Sequence, residues 1–306
     1  MEYFFFVARY PAIHNQTSFP MRKYSFFGLG AAVALSTISL TGCNKDQDNA
    51  NQPAQLEQAQ DAKAEEAYPG QSGAAKAGEW GGQPISYQEI NGEKVYEGDI
   101  LLTQEQVEAS QGQDAGRPGS AGRTTGRWPS GVVYYTIDTA LPNQARVTDA
   151  IAHWQANSPV RFVRRTTQTS YVTFRVGSGC SSNIGMIGSR QYINLASGCS
   201  TGNTIHEIGH ALGLFHEQTR NDRDTYVNIL TQNIQAGYEG NFTKYSGLGY
   251  GGTDYGVLDF GSIMMYGSFS FSSNGQPTIT RKDGSTFNIQ RTGLSAGDKS
   301  GIDAMY

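Results

Sequence analysis

His206 and His210 stand four residues apart with Glu207 beside the first of them. On a helix this spacing sets both imidazoles on one face about one turn apart, which is how two ligands reach one small ion. Gly213 follows three residues later and can take the left-handed conformation that closes a helix, so the chain can turn back and bring His216 to the same ion from outside. Three nitrogens then hold a zinc ion and leave at least one coordination position open. An open position marks a catalytic rather than a structural site, because the water held there becomes acidic enough to react at neutral pH. Glu207 lies on the ligand helix without being a ligand, and is the natural base for that water. The apolar Ile205, Ile208, Ala211, Leu212, Leu214 and Phe215 form a separate face for a core.

The chain that must position these groups has 306 residues, with 23 Lys and Arg against 27 Asp and Glu, a net charge of -4. That balance offers no basic field for nucleic acid, which is excluded as a partner. Residues 22–43 read as a bacterial secretory signal, with Arg22 and Lys23 basic, Phe26 to Leu40 apolar, and Leu40-Thr41-Gly42-Cys43 at the end. The last four resemble a lipobox, which would make Cys43 the lipid-bearing residue of the exported form and Met21 a better start than Met1; an ordinary signal peptide is the alternative. The apolar run is too short for a membrane span. Cys180 and Cys199 then remain, and two cysteines in an oxidising compartment pair.

From Asn44 to Glu79 large apolar residues are almost absent, which predicts an unordered tether. Residues 85–103 bring them back, centred on Val95 to Leu102, and residues 110–126 return to Gly, Ser, Gln and Arg, as an exposed cleavable linker would. Such an island ahead of a catalytic region looks like a propeptide. The expected organisation is a leader over 1–42, a tether over 43–79, a propeptide over 80–120 and a catalytic domain over 121–306.

Within that domain, strands are expected at Val132 to Ile137, Val160 to Arg165, Tyr171 to Val176, Ile184 to Ile187 and Gln191 to Leu195. Pro142 to Asn157 repeats Val147, Ile151 and Trp154 at a helical period, and Leu294 to Asp298 leads into a terminal helix. His153, on the first of these helices, reads as structural. Ala236 to Gly261 is irregular but rich in Tyr, as the wall of a binding cleft is. Strand, helix, several strands and a second helix make an α+β domain.

The stretch HEIGHALGLFHEQTRNDRDTYVNI, from His206 to Ile229, resembles the metzincin signature and its extension in the astacin family of zinc endopeptidases, with Glu217, Arg220, Asp222, Arg223, Asp224 and Tyr226 in register. The resemblance implies a zincin-like fold: a twisted mixed sheet with a backing helix and a zinc-site helix above a mostly irregular lower subdomain. It implies a disulfide between Cys180 and Cys199. Ser262-Ile263-Met264-Met265-Tyr266-Gly267 resembles the Met-turn, which makes Met264 a floor under the imidazoles and Tyr266 a phenol that serves the substrate; Met265 stands where astacins commonly carry His. Glu217 would anchor the amino terminus exposed by maturation near Gly119 to Ala121, or else pair with Arg220. Tyr96-Glu97-Gly98-Asp99-Ile100 resembles the propeptide motif by which an aspartate, here Asp99, takes the water's place on zinc. Asn288-Ile289-Gln290-Arg291 resembles a segment whose arginine favours Asp or Glu just after the cleaved bond; an ordinary surface arginine is the alternative for Arg291.

The expected activity is hydrolysis of internal peptide bonds through a metal-activated water by an enzyme made as a latent precursor. Its partners would be one Zn2+, a protein or peptide substrate, its own propeptide and an activating protease, with a membrane met only through the lipid. Substrate would lie extended along the edge near Cys180 to Ile187, with Ser181 shaping one side. The competing readings are a hydrolase of cell-wall peptide and a surface lipoprotein that binds without catalysis.

Overall fold

The computed structural model describes residues 64–80, 83–108, 126–245 and 254–306. The expected signal segment, Cys43 and the expected linker with Gly119 to Ala121 lie outside the described residues.

The described residues ahead of the catalytic domain, 64–80 and 83–108, form a leader distinct from the expected signal-bearing segment 1–42. Strands β1 (Ala74–Trp80), β2 (Gln83–Ile90), β3 (Glu93–Tyr96) and β4 (Ile100–Leu102) run antiparallel, and a short helix α1 (Gln104–Glu108) follows. The expectation of an unordered tether does not hold over residues 64–79. Residues 64–79 are ordered because Glu65 and Ala67 are buried against the rest of the fold and β1 pairs along its length with β2.

The catalytic domain adds β5 (Val132–Ile137), helix α2 (Ala145–Asn157), β6 (Arg161–Arg164), β7 (Tyr171–Arg175), β8 (Cys180–Asn183), β9 (Arg190–Leu195) and helix α3 (Thr201–Leu212). A strand was expected at Ile184 to Ile187; it lies instead at β8, where Cys180, Ser181 and Ser182 face Leu195, Asn194 and Ile193 of β9. Polar residues carry this strand because its order comes from its neighbours rather than from its own propensity. Among the described residues one mixed sheet runs β1-β2-β3-β4-β8-β9-β7-β5-β6, so the leader strands extend the catalytic sheet beyond β8. The join is parallel, Ile100 beside Ser182 and Leu101 beside Asn183.

Helices α2 and α3 bury their apolar sides with the sheet in one core of Val133, Val147, Ile151, Trp154, Phe174, Ile205 and Ile208. Two indoles tie α3 in place: Trp154 Nε1 donates to the Ile205 carbonyl at 3.0 Å and Trp128 Nε1 to that of Ala211 at 2.9 Å. Buried Arg146 of α2 donates to the carbonyls of Ala196 and Cys199, holding the turn that leads into α3. The Cys180–Cys199 disulfide closes the same corner. Below α3 the chain makes short helical turns, a two-stranded ribbon of β10 (Val227–Ile229) and β11 (Ile279–Arg281), and a terminal helix α4 (Ala296–Met305). His153 accepts the Leu294 N–H at 3.0 Å, the structural role expected of it.

Candidate metal centre

Helix α3 owes its limits to its own sequence. Ser200 accepts the Asn203 N–H, and the Asn203 side chain accepts the Ser200 N–H in return, closing a capping box worth about 1 kcal/mol. Gly213 ends the helix with φ 103°, a left-handed conformation that any side chain would strain. The turn sends the chain back beneath the helix and returns His216.

The three expected imidazoles converge. Ligand atoms of His206, His210, His216 and Asp99 all lie within 4.8 Å of one another, and all four residues are buried. Nε2 of His206 and Nε2 of His210 are 3.1 Å apart. The opposite nitrogens are occupied: His206 Nδ1 is 2.8 Å from the Ile263 carbonyl and His210 Nδ1 2.7 Å from that of Leu214. A ring that donates from Nδ1 presents a bare Nε2, the tautomer a metal needs. His216 Nδ1 meets the carboxylate of Glu97, at 2.9 Å.

Asp99 enters from the leader. Its Oδ2 is 3.1 Å from His206 Nε2 and 3.4 Å from His216 Nε2, and its Oδ1 is 3.5 Å from His210 Nε2. Three nitrogens and one carboxylate oxygen form the donor set of a tetrahedral zinc ion. Two orphaned atoms agree with that assignment, because buried His216 Nε2 and Asp99 Oδ1 have no hydrogen-bond partner. Burial pushes His206 down to about 4, leaving it neutral and ready to bind. Burial also opposes charge on His216, but Asp99 and Glu97 outweigh it and raise this ring to about 9, so metal binding there displaces a proton.

Glu207 is fully buried next to this group with both carboxylate oxygens unpartnered. Burial, then the charges of Asp99 and Glu65, raise its pKa well above the usual carboxylate range. Tyr266 packs its ring 4.5 Å from that of His216, and its hydroxyl donates to the Glu97 carbonyl. Met264 is buried under α3, where Gly209 lets it close in: a Cβ on Gly209 would lie 2.7 Å from the Met264 sulfur. Met265 faces the lower core with Val227 and Ile279, a packing position.

Glu217 is buried, accepts the Asp259 N–H at 2.9 Å and lies 3.4 Å from Arg220. Burial raises its pKa to about 8. A small cavity lined by Glu217, Arg220, Asp259 and Asp298 opens beside it. Arg291 is not on the surface. It is buried and holds Glu65 of the leader in a two-pronged ion pair at 2.5 and 2.6 Å. Sequence reasoning missed Glu65, the Glu97 contact and Asn203 as a pocket residue, since nothing local to any of them announces a partner more than a hundred positions away.

Residues 120–306 match the sequence model of Astacin (Peptidase family M12A). Blastula protease 10 of Paracentrotus lividus is 40% identical over 204 residues, 61% of this chain and 34% of its own length. Flavastacin of Elizabethkingia meningoseptica is 40% identical over 197 residues, 58% of this chain and 42% of its own. High choriolytic enzyme 1, a hatching enzyme zinc-protease from Oryzias latipes, is a similar solved structure: TM-score 0.53 and 32% identity, over 59% of this chain and 92% of its own. The chain spans about a third of the length of the first curated relatives it matches.

Proposed function

Because the chain belongs to the astacin family, we propose that residues 121–306 are a zinc endopeptidase and that the described residues ahead of them hold it latent. One observation carries this reading: three imidazole nitrogens converge with Asp99 on one point, and the unpartnered Glu207 carboxylate lies close enough to feel the Asp99 charge. His206, His210 and His216 would hold the zinc, with Asp99 as the fourth ligand of the precursor. Bound there, zinc acidifies a coordinated water and polarises the scissile carbonyl. Glu207 takes the proton of the attacking water and returns it to the leaving amine. Tyr266, freed from the Glu97 carbonyl, donates to the oxygen on which negative charge develops. Met264 supports the imidazoles from below.

Latency is supported by where the leader runs. β4 pairs with β8, the edge along which an extended substrate would add itself, and the Ser182 N–H donates to the Asp99 carbonyl at 3.0 Å. A substrate cannot use that edge until the leader leaves. Cleavage by an activating protease near Gly119 to Ala121 would release it, and the new amino terminus would reach the cavity beside Glu217, whose buried carboxylate shares Arg220 with Asp222. Arg291 would then favour Asp or Glu just after the cleaved bond.

No helix among the described residues is long and apolar enough to cross a membrane. We propose export through the signal segment, with Cys43 anchoring the precursor by lipid and maturation freeing the enzyme. The decisive test is the activated protein itself: zinc content near one per chain, and cleavage of casein or gelatin measured beside release from peptidoglycan. Cleavage of peptidoglycan alone would transfer the activity to cell-wall peptide, and zinc without either activity would leave a binding protein.

A further inference from the structure

Glu65 is, beside Asp99, a second buried and fully engaged charge of the leader. Its side chain is fully buried, pairs through both oxygens with Arg291, and accepts a third bond from Asn203 Nδ2 at 2.8 Å. Its Oε2 lies 3.8 Å from His206 Nε2, so the pocket adjoins the metal group. Gly202 makes the pocket possible: a Cβ there would stand 1.8 Å from the Arg291 carbonyl, and without it the Arg291 segment lies against the first turn of α3.

Asn203 does two jobs with its two amide atoms. Its Oδ1 closes the capping box with Ser200 N, and its Nδ2 is aimed at the carboxylate. We propose that Arg291 and Asn203 together form a seat for one acidic side chain, that Glu65 fills it in the precursor as a stand-in for the substrate's side chain, and that Asn203 is thereby a specificity-determining residue. The proposal rests on the endopeptidase reading above and deepens it. The energetics favour it, since departure of the leader removes from a buried guanidinium its only ion-pair partner among the described residues. A carboxylate side chain restores three charge-assisted bonds; an amide of the same shape cannot.

The seat also braces the metal-binding turn of the leader. The Ala67 N–H donates to the Gly98 carbonyl at 2.8 Å, tying the Glu65 segment to the residue before Asp99. Their backbones touch so closely that a Cβ on Gly98 would be 3.2 Å from the Glu65 carbonyl. The leader is thus latched twice, on the metal group by Asp99 and in the side-chain seat by Glu65.

Two measurements test this. In zinc-loaded, uncut precursor, hydrogen exchange at Ala67 should rise at least tenfold in Glu65→Gln, with zinc lost faster to a chelator; unchanged exchange and unchanged zinc release overturn the proposal. In activated enzyme, matched peptides with Glu or Gln after the cleaved bond should show a preference for Glu that falls about tenfold in Asn203→Asp. That substitution keeps the cap, since an aspartate oxygen can accept the Ser200 N–H, while replacing the donor with a repelling charge. The Gln side chain enters the same seat, so the quantity read is the ratio of the two kcat/KM values rather than either alone. A Glu-to-Gln ratio that is the same in wild type and Asn203→Asp overturns the proposal. Should activated wild type cleave neither peptide, the peptidase reading fails, and the exchange measurement still decides whether Glu65 is a latch.

Discussion

Tyr266 donates its phenolic hydrogen to the backbone carbonyl of Glu97, 169 positions earlier in the chain. The hydroxyl that would serve the substrate is therefore occupied by the leader, and the same leader residue holds His216 through its side chain. The proposed metal ligand His216 and the proposed oxyanion donor Tyr266 are thus both engaged by one turn, Glu97-Gly98-Asp99.

Glu207→Ala in activated enzyme should keep one zinc and lose hydrolysis by a factor of about 100 to 10,000, the range expected when a general base is removed. The three imidazoles do not depend on this carboxylate for any hydrogen bond, so metal analysis beside a peptide assay separates the two effects. Loss of zinc, or retained activity, would count against the role given to Glu207.

Asp99→Ala, with the linker made uncleavable, should give a precursor that hydrolyses a short peptide measurably, because the metal group loses its fourth ligand. The edge strand β4 would still compete for the cleft, so activity should stay well below that of the activated enzyme. A variant as silent as the parent would mean that the leader blocks by bulk alone.

Gly98→Ala tests the turn itself. Gly98 sits at φ 85°, and an added Cβ would meet the Phe271 ring at 2.8 Å and the Glu65 carbonyl at 3.2 Å. The left-handed conformation alone costs a residue with a side chain about 1–2 kcal/mol. The precursor should be cut by added protease faster than the parent and should leak activity; equal cleavage rates would show that the turn tolerates the methyl.

Removing the disulfide by Cys180→Ser with Cys199→Ser opens a loop with a sequence separation of 19. The expected loss is about 2–4 kcal/mol of stability, read as a lower melting temperature. Activity at 25 °C should survive, since α3 remains held by Trp128, Trp154 and the capping box.

Acid should weaken the second latch. Burial alone would raise the pKa of Glu65, but the charge of Arg291 outweighs it and holds the carboxyl down to about 2, against 4.5 ordinarily. A depressed folded value means stability that is fully present above about pH 4.5 and is lost as pH falls towards about 2. The melting-temperature gap between precursor and Glu65→Gln should be constant from neutral pH to about 5 and narrow below that. A gap that widens on acidification would reverse the sign and refute the ion pair as its source.

The convergence of His206, His210 and His216 was legible in the sequence because its geometry is local. His206, Glu207 and His210 are fixed by one helical period, Ser200 and Asn203 start that helix, and Gly213 ends it, so the whole arrangement spans seventeen residues from Ser200 to His216. The alternation of elements that makes the domain α+β was legible for the same reason, since β5, β7, β9, α2 and α3 each announce their own period. β8 was misplaced because Cys180 to Asn183 carry no strand pattern and are extended only by their neighbours. Glu65 was assigned to a tether because it sits among residues too polar to order themselves. Its burial depends on Arg291, 226 positions away, and a charge pair across that distance leaves no mark on local composition. Arg291 for its part reads as either a pocket arginine or a surface cation until the fold encloses it. What the sequence determined by itself was the chemistry available at the metal; which leader groups come to rest there was decided by the tertiary structure, because only the folded chain brings buried opposite charges within reach of one another.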